Sequence, residues 1–386
     1  MGVCLLASAN ASTTKALPLE SARFKRFCQF CLKSQQSMIA TLNTVDGGAV
    51  FAQNPWDRFD DAGGFVGHGI TAVLEGGDLI EKGAASTTFL RGTLSPQRAA
   101  SMSARLAKKE VAGGAVGAAD APDMVGRSYF AAAFSVVLHS RSPMVPTFRS
   151  DVRYFELEGM EGWFGGGADL TPYYLFDEDA HQFHATYRNV CARHGPETLF
   201  PRLKKYCDEY FFIPARGEHR GVGGIFFDDL MDTFLDAEHT DDTDDTDVRD
   251  ADAGIADAGD AGVTAEAGAT RESGGSGLDR AMGFTCAVAD TFMPSYLTVV
   301  DKRRNLPFSD EQRHWQLLRR GRYIEFNLLY DRGVRFGLLP VEQGDRRTEA
   351  VLVSCPPLVA WDYNHQPAPG SEEERLLQIL KDPRDW

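Results

Sequence analysis

The sequence lacks a long apolar run, a paired set of cysteines and an excess of basic residues. A membrane-spanning helix needs roughly 20 consecutive apolar residues, and because no segment offers them we expect no membrane span. The 7 cysteines are an odd number, which favours a reducing compartment over a disulfide scaffold. The net charge of −15 argues against a nucleic-acid partner, because contacts with phosphates need a basic surface.

Several familiar site motifs are also absent or incomplete. The three glycines at 165–167 lack the Lys-Ser/Thr pair of a P-loop and the spaced third glycine of a dinucleotide fingerprint. The acidic segment 245–249 breaks the ligand order of an EF-hand. Cys28 and Cys31 form a C-x-x-C within a helical run that has no second cysteine pair. We therefore expect these two cysteines to be packing residues rather than a redox or zinc site.

Two segments differ in composition from the rest of the chain. Residues 1–21 are rich in small and hydroxyl side chains, and we expect a flexible leader there. Residues 236–277 consist mainly of Asp, Ala, Gly, Thr and Ser, a composition typical of an acidic disordered insert. Within the insert, Asp236 to Asp260 hold eleven acids and one base, so this stretch carries −10 of the net −15. The remaining residues of 22–386 are predicted to form a single domain.

The leader gives little information about the cellular compartment. Its apolar run has no basic flank before it, unlike a secretory signal, and Leu6 stands where a myristoylation motif has a hydroxyl residue. A cytoplasmic protein is therefore the default expectation. A rudimentary transit peptide for a mitochondrion or plastid is the alternative, because the leader contains Ser and Thr and little acid.

Periodicity predicts a mixture of helices and strands around an ample core. Apolar residues make up 43% of the chain, and 25 residues are Phe. Helical patterns cover 22–42, 177–191 and 199–211. Strand patterns cover 48–58, 69–83, 130–138, 152–156, 323–330, 335–339 and 350–354. The predicted fold class is α+β.

Three charged residues alternate where a proline-containing loop leads into the strand 152–156. Period-two spacing turns the side chains of Arg149, Asp151 and Arg153 to one side. Arginines at this spacing can bind the carboxylates of a ligand, with the aspartate holding them in place. A surface ion-pair ladder is the alternative, and the spacing alone favours it.

A carboxylate directly follows the glycines in WFGGGADLTPYY. Aromatic neighbours would partly desolvate Asp169, which suits a group that accepts N–H donors or moves a proton. An aspartate that caps a turn is the alternative.

Further arginines indicate an anion pocket. Arg216 and Arg220 precede a second glycine-rich turn at 221–224, and Arg346 and Arg347 follow a predicted turn at 331–333. Some arginines of this region are expected to pair with Glu325 or Asp331 instead. The loop position of Arg347 makes it the strongest ligand-binding candidate among them.

Six blocks of the chain together resemble a known family. In order they are SVVLHSRSP, PTFRSDVRYFE, WFGGGADLTPYY, HRGVGGIFFDDL, RRGRYIEFNLLYDRGVRFGL and SCPPLVAWDYNHQP. Their order and spacing, over about three hundred residues, are similar to those of the oxygen-dependent coproporphyrinogen-III oxidases. The resemblance covers nearly everything outside the leader and the insert. It implies a large antiparallel β-sheet flanked by helices on both faces, and a homodimer.

The resemblance also implies an activity. Members of the family oxidise two propionates of coproporphyrinogen III to vinyl groups, which gives protoporphyrinogen IX and carbon dioxide. Molecular oxygen is the oxidant and hydrogen peroxide is released, so no redox cofactor is expected. The electron-rich pyrrole can itself give electrons to oxygen, which leaves the protein to supply orientation, electrostatics and proton transfer.

The site residues of the family carry over to this chain position by position. Ser135, Arg153 and Arg347 match substrate-contacting positions, and Asp169 matches the aspartate that meets the pyrrole nitrogens. The predicted catalytic residues are Asp169, Arg153 and Arg149. The predicted substrate-binding residues are Ser135, Asp151, Val152, Arg153, Arg216, Arg220, Asp345, Arg346 and Arg347.

Several positions depart from the family pattern. Arg149 stands where the family has a proton-donor histidine, and an arginine stays protonated, so it is a poor general acid. Asp151 replaces an Asn, and Asp345 and Arg346 replace small residues beside Arg347. A GGVN-like stretch reads Ala-Ala-Ser at 84–86. These changes put substrate fit and full activity in question.

A metal site is not expected. Some bacterial members are assigned a divalent metal at four histidine positions. This chain keeps His139 and His184 there but has Arg149 and Ala215 at the other two. Two remaining histidines favour a structural role.

Three hypotheses remain open. The leading one is an active oxidase in which Arg149 orients a propionate while Asp169 and Arg153 organise the pyrrole ring. The second is a catalytically impaired, tetrapyrrole-binding paralogue, supported by the arginine at position 149. The third is an oxidase for a different tetrapyrrole carboxylate, motivated by Asp151 and Asp345.

Overall fold

The computed structural model describes residues 20–60, 63–96, 99–100, 124–231, 235, 277–331, 333–334, 338 and 348–386. Its strands are β1 Ala52–Phe59, β2 Phe65–Glu75, β3 Ile80–Thr93, β4 Ser128–Ser140, β5 Thr147–Leu157, β6 Trp163–Thr171, β7 Phe212–Ile213, β8 Glu218–His219 and β9 Gly223–Leu230. Its helices are α1 Ala22–Asp46, α2 Asp177–His194, α3 Leu199–Tyr210, α4 Gly277–Asp290, α5 Phe292–Arg303, α6 Asp310–Leu329, α7 Thr348–Val351 and α8 Glu372–Lys381. Positions 1–19 of the leader, 236–276 of the insert and most of the predicted strand 335–339 lie outside the described residues.

Seven strands form one antiparallel sheet in the order β1-β2-β3-β4-β5-β6-β9. Each of the first five strands pairs with the next along the chain, and the step from β6 to β9 passes through α2, α3 and the small β7–β8 ladder. The predicted strands at 48–58, 130–138 and 152–156 fall in β1, β4 and β5, and the segment 69–83 holds the hairpin of β2 and β3. The predicted α+β class is confirmed.

Helix α1 has a cap at each end that the sequence supplies. The Ser21 hydroxyl accepts a hydrogen bond from the Phe24 N–H at 3.0 Å. Gly47 ends the helix with a φ of 77°, a left-handed conformation that glycine adopts without strain. Buried residues recur every three or four positions from Phe24 to Leu42. The buried amide of Gln35 donates to carbonyl oxygens of β2 and β3, each at 2.9 Å, which fastens the helix to the sheet.

Aromatic side chains close one face of the sheet. Phe148 on β5 stacks on Tyr296 of α5 with ring centroids 5.2 Å apart. Phe164 on β6 meets Phe27 of α1 at 5.3 Å. The side chain of Val152 is fully buried in the same core. Because successive residues of a strand alternate between faces, the odd-numbered residues of β5 point to the opposite face.

The C-terminal third contains a helix where a strand was predicted. Residues 323–330 continue α6, which begins at a capping box formed by Ser309 and Gln312. Buried residues recur at helical spacing, among them Arg319, Tyr323 and Phe326. The strand prediction was wrong because this run is rich in aromatic residues and contains a β-branched one, and so short an apolar run does not fix a period.

Helix α6 covers one end of the sheet face opposite α1, so helices flank the sheet on both faces. Its residues Tyr323 and Ile324 pack against Val137 of β4. The predicted strand 350–354 is also wrong, because these residues form the end of α7 and a 3₁₀ turn over Leu352–Ser354.

Cysteines 28 and 31 lie on α1 and pack against the core, as expected. Cys31 is fully buried, and Cys28 is partly buried beside the same core. Burial raises the pKa of the Cys28 thiol to about 12. Among the described parts of the chain, no helix combines the length and apolar character that a membrane span requires.

The carboxylate of Asp46 joins the end of α1 to the hairpin between β2 and β3. It accepts five backbone N–H groups at 2.7 to 3.1 Å, from Gly48, Ala49, Asp78, Leu79 and Ile80. Burial acts to raise the pKa of Asp46, but the N–H donors outweigh burial and hold that pKa below its usual range. The ionised form of Asp46 therefore stabilises the fold.

We expect Asp46→Ala to lower the free energy of unfolding by about 3 kcal/mol or more, because five N–H groups lose a charged acceptor. Urea denaturation at pH 7 measures this loss. Because the folded pKa of Asp46 is depressed, its contribution is present above a pH of about 4 and is lost as pH falls further. The matched control is Asp78→Ala, which removes an exposed carboxylate of the same hairpin and should change stability by less than about 0.5 kcal/mol. Equal losses in the two variants would contradict this role.

Candidate active site

Among the described residues, small side chains line the sheet face opposite α1 over strands β2 to β4. Ser135, on the middle strand β4, is exposed, although strands lie on both sides of it. We call the surface around it the small-residue floor, and its residues are Gly69, Thr71, Ser86, Thr88, Ala131, Ala133 and Ser135. Strands β1 and β5 border the floor, and the five strands from β1 to β5, about 4.8 Å apart, span roughly 19 Å. The floor is therefore broad enough for a large, flat ligand.

An aromatic ring borders this floor at the edge strand β1. Trp56 is the register partner of Gly69, and a Cβ on that glycine would stand 2.6 Å from the indole. The half-buried indole therefore lies across the glycine. A planar ligand on the floor would meet an aromatic ring suitable for stacking or edge contact.

A band of ion pairs lies on β5, beside the floor. The side chains of Arg149, Asp151 and Arg153 point to the same side of this strand. Asp151 pairs with Arg153 and also with Arg149, whose Nη1 is 3.1 Å from Oδ1 in a geometry that makes no hydrogen bond. Arg153 donates from Nε and Nη2 to Oδ1 of Asp228 at 3.2 and 2.7 Å. Arg149 reaches Asp331 at the end of α6, at 3.9 Å. Both arginines therefore already have carboxylate partners.

These carboxylates fix the charge of both guanidinium groups. Burial acts to lower the pKa of Arg149, but Asp151 and Asp331 outweigh it and raise that pKa above its ordinary value. Burial opposes the charge of Arg153 in the same way, and Asp228 and Asp151 raise its pKa. Arg149 is therefore a permanent cation and not a group that exchanges protons.

The absence of a side chain at Gly165 allows the Arg153 to Asp228 pair to lie against β6. A Cβ at this position would stand 2.5 Å from Oδ1 of Asp228 and 2.7 Å from Nε of Arg153. The run of glycines belongs to the strand itself, and Asp169 lies in β6 rather than capping a turn.

Asp169 is a buried carboxylate with only one oxygen committed. It is 2% exposed, and its Oδ2 accepts a hydrogen bond from Nη2 of Arg220 at 2.6 Å. Its Oδ1 accepts no hydrogen bond from any residue that the structure describes. Its register partners are Arg149 and Gly224. A buried oxygen without a donor costs about 1–3 kcal/mol, and an N–H group of a ligand would recover that energy.

Three residues predicted to contact the substrate have side chains that are buried or already paired. Arg220 is 1% exposed, and aromatic rings enclose its guanidinium group. The side chain of Val152 lies in the core on the other face. Arg216 is exposed and donates to both oxygens of Glu325 at 2.6 and 2.8 Å, a surface ion pair of the kind expected for that glutamate. The predicted residues Asp345, Arg346 and Arg347 lie outside the described residues.

His139 is held as a neutral imidazole by a directed chain of hydrogen bonds. Its Nε2 lies 2.9 Å from the carbonyl oxygen of Ser354, so Nε2 carries the hydrogen and donates it. Nδ1 then accepts from the Thr147 hydroxyl at 3.1 Å. Thr147 accepts in turn from Tyr173 at 2.5 Å, and Tyr173 accepts from Arg320 at 3.4 Å. Burial, reinforced by the charge of Arg320, lowers the pKa of His139 to about 3.

The two histidines at the family's metal positions lie in different surroundings. His139 contacts Tyr323 of α6, whereas His184 contacts Phe200 and Trp386. Both ring nitrogens of His139 are engaged in hydrogen bonds. Within the described ranges, no group of three or more His, Cys, Asp or Glu side chains is arranged to hold a metal ion.

Some residues of the site were not predicted from the sequence. Asp228 follows Phe226 by two positions in FFDDL, so period-two spacing places both on one face and was an available signal. Phe211 lies between two guanidinium groups, with its centroid 5.3 Å from Cζ of Arg149 and 3.9 Å from Cζ of Arg220. No local pattern marks Phe211, because its position depends on how α3 crosses β9.

Comparisons with known proteins bear on the family to which the chain belongs. A family model described as Coproporphyrinogen III oxidase matches residues 26–258 and 259–386. The oxygen-dependent coproporphyrinogen-III oxidase of Francisella tularensis subsp. holarctica (strain LVS) is 34% identical over 370 residues, which cover 94% of this chain and 98% of that protein. The chloroplastic enzyme of the same name from Glycine max is 37% identical over 369 residues, covering 94% of this chain and 79% of that protein. The enzyme of the same name from Drosophila melanogaster is 38% identical over 343 residues, covering 88% and 72%.

We expect His139→Gln to flatten the pH dependence of stability by about 1.4 kcal/mol per pH unit between pH 6 and 4. Because folded His139 binds a proton only near pH 3, the unfolded chain takes up the proton first, and wild-type stability falls as pH falls below about 6.5. Urea denaturation at a series of pH values measures the slope. The control His68→Gln changes an exposed histidine and should keep the wild-type slope. An unchanged slope in His139→Gln would contradict the buried neutral imidazole.

Proposed function

Because the chain belongs to the coproporphyrinogen III oxidase family, we propose that it catalyses the oxygen-dependent oxidative decarboxylation of coproporphyrinogen III to protoporphyrinogen IX. This step belongs to haem and porphyrin biosynthesis. Each of two propionates loses carbon dioxide, one proton from its β-carbon and two electrons, and becomes a vinyl group. Oxygen accepts the electrons together with that proton and a second proton, and leaves as hydrogen peroxide.

The observation that carries the proposal is the small-residue floor beside a buried carboxylate. A reduced tetrapyrrole is broad, and each of its rings presents an N–H donor. The floor offers a wide surface at Ser135 without bulky side chains, and Oδ1 of Asp169 is an acceptor without a donor among the described residues. A ligand lying on the floor with a pyrrole N–H toward Asp169 would satisfy both features.

In the proposed complex, Asp169 accepts pyrrole N–H groups and stabilises positive charge that develops on the ring as it gives electrons to oxygen. Arg153, fixed between Asp151 and Asp228, holds the shape of the floor and its electrostatic field. We propose that no redox cofactor takes part, because the pyrrole itself is the electron donor. The protein then contributes orientation and preorganised charge.

The charge balance bears on where the propionates bind. The band holds Arg149, Arg153 and Arg220 against four aspartates, 151, 169, 228 and 331. Its arginines therefore leave no excess positive charge for a ligand with several carboxylates. We propose that Arg346 and Arg347 supply that charge, in keeping with the resemblance. Arg149 orients a propionate by sharing its guanidinium with Asp151.

We propose that residues 22–386 act as one domain, because α4, which follows the insert, packs Phe284 against Phe227 of the sheet at 5.1 Å. We also propose a cytoplasmic location, with a mitochondrion or plastid as the alternative. One relative carries the word chloroplastic in its name, which supports the plastid as an alternative location.

We propose a homodimer formed through an exposed apolar surface. This C-terminal apolar patch consists of Leu328, Leu329, Leu358, Trp361 and Tyr363, which are 42%, 55%, 56%, 53% and 94% exposed. The Trp361 indole donates to Glu325 at 3.1 Å, one turn before the two leucines on α6. Large apolar side chains gathered on a surface favour contact with another protein, and a second copy of the chain is the occupant that we propose.

Purified protein should convert coproporphyrinogen III to protoporphyrinogen IX in air and should not do so without oxygen. Asp169→Asn should lower kcat/KM roughly 10²- to 10³-fold, because a preorganised charge beside the reacting ring is lost. Product fluorescence after oxidation follows the rate, and mass spectrometry identifies the product. The control Asp301→Asn changes an exposed carboxylate of α5 and should keep the wild-type rate.

The turnover of coproporphyrinogen III by the variant Arg149→His should be measured in the same assay. Turnover by the wild type would show that this lineage works with a permanent cation at position 149. Binding of substrate without turnover would instead support the non-catalytic paralogue, and a gain of activity in Arg149→His would locate the lost step. A product of different mass would support a different tetrapyrrole substrate.

Native mass spectrometry should show twice the chain mass for the wild type. Leu329→Glu combined with Trp361→Glu should weaken association at least roughly thirtyfold, because buried aromatic and aliphatic contacts dominate such interfaces. The control Val50→Glu alters an apolar side chain that is 68% exposed elsewhere and should leave the mass unchanged. A monomeric wild type would contradict the proposed assembly.

A further inference from the structure

We infer that Arg220 is a positioning residue, which fixes the Asp169 carboxylate through a buried ion pair and leaves Oδ1 of Asp169 available to the substrate. The inference rests on the proposed function in one respect, because it takes Asp169 as the acceptor for pyrrole N–H groups. It assigns Arg220 to the support of that acceptor and not to contact with substrate.

The first observation is how unequally the two oxygens of Asp169 are used. Oδ2 accepts a hydrogen bond from Nη2 of Arg220 at 2.6 Å. The side chain of Asp169 is 2% exposed and that of Arg220 is 0% exposed. Oδ1 is equally buried and has no donor among the described residues. A charge-assisted bond to one oxygen fixes the rotation of the carboxylate. The other oxygen is then held at one place and in one orientation.

The second observation is the enclosure of the guanidinium. The Cζ atom of Arg220 lies 3.9 Å from the ring centroid of Phe211, 4.9 Å from that of Tyr323 and 5.0 Å from that of Phe326. Its Nη1 donates to Oδ1 of Asn327 at 3.4 Å. Cation–π contacts to three rings stabilise the buried charge. The rings also prevent Arg220 from turning toward the floor.

The third observation concerns the origin of these parts. Asp169 belongs to β6, Arg220 to the turn before β9, Phe211 to the end of α3, and Tyr323 and Asn327 to α6. The backbone N–H of Arg220 donates to the carbonyl oxygen of Phe211 at 2.9 Å. Three separate elements therefore converge on one side chain, and the ion pair of that side chain joins them to Asp169. The pair transmits the rigidity of this packing to the acceptor oxygen.

The titratable and charged groups that face Asp169 each keep one protonation state between pH 5 and 9. They are Arg149 on β5, Arg220, Tyr187 on α2, Cys207 on α3 and Tyr323 on α6. Burial raises the pKa of Tyr323 to about 12, and it also raises the pKa of Tyr187 and of Cys207. The arginines remain cations throughout this range.

Arg220→Met tests the inference, because methionine fills the aromatic enclosure without a charge. The expected result is a fall of roughly a hundredfold in kcat/KM, with the acidic limb of the pH profile moved upward by about one to three units. Arg220→Lys should keep the acidic limb near its wild-type position, because the positive charge remains. An acidic limb that does not move in Arg220→Met would overturn the inference.

The matched control is Arg319→Met. Arg319 lies on α6 and, like Arg220, is a buried arginine. Its ion-pair partner is Glu218 rather than Asp169, with Nη1 2.7 Å from Oε1 of Glu218. This variant should lose stability in a similar way and keep the wild-type pH profile. A shifted profile in Arg319→Met would show that general loosening moves the limb, which would also overturn the inference.

A second measurement does not depend on activity and so separates this inference from the proposed function. In Arg220→Met, a buried Asp169 without its cation makes the fold less stable as pH rises, because its charged form is disfavoured. The urea midpoint of Arg220→Met should therefore fall relative to wild type between pH 5 and 8. Adding Asp169→Asn should remove that trend. If wild type fails to turn over coproporphyrinogen yet this trend appears, the proposed function fails and the pair stands; if the trend is absent, the pair itself is refuted.

Discussion

The seven-stranded antiparallel sheet has two faces, and the helices that the structure describes close one of them across its width and only one end of the other. This single asymmetry determines where the site lies. On β5, even-numbered residues such as Phe148 enter the aromatic core, while odd-numbered residues face the open side. Helix α6 covers one end of the open side and supplies Tyr323 and Phe326. The middle of the sheet around Ser135 carries small side chains from β2, β3 and β4 on this face.

Charge on the open side is balanced locally. A buried or half-buried arginine without a partner would be costly, and each one here lies against an aspartate of another strand or of a helix end. The band is therefore a rigid arrangement of alternating positive and negative side chains. Oδ1 of Asp169 is a buried oxygen of this band that accepts no hydrogen bond from any described residue. A site with this character is suited to recognising N–H donors and delocalised positive charge, and less suited to collecting carboxylates on its own.

The sequence predicted the parts of the fold that depend on local pattern. The caps and periodicity of α1, the strands β4 and β5, and the shared side of Arg149, Asp151 and Arg153 all follow from spacing. The run 323–330 was assigned to the wrong element, because its helical continuity depends on a capping box fourteen residues earlier, at Ser309. The family resemblance supplied Ser135 as a candidate site residue, whereas Asp169 was a candidate from its aromatic neighbours as well as from the resemblance.

Other features could not be predicted, because they arise only when distant segments meet. The burial of Arg220 requires α3, α6 and the turn before β9 to converge, and a sequence pattern records only that the residue is charged. Its assignment to substrate contact was the natural one for a loop arginine. The same holds for Phe211, which looks like an ordinary core residue until two guanidinium groups are placed on its ring.

Strand β5 carries the site on one side and the core on the other, and this dual use limits how the gene can change. Losing or gaining one codon within β5 would shift the register by one residue, so Arg149, Asp151 and Arg153 would enter the aromatic core while Phe148 and Tyr154 faced outward. Lineages can therefore diverge here by replacing residues but not by altering length. An arginine at position 149 is a change of the permitted kind.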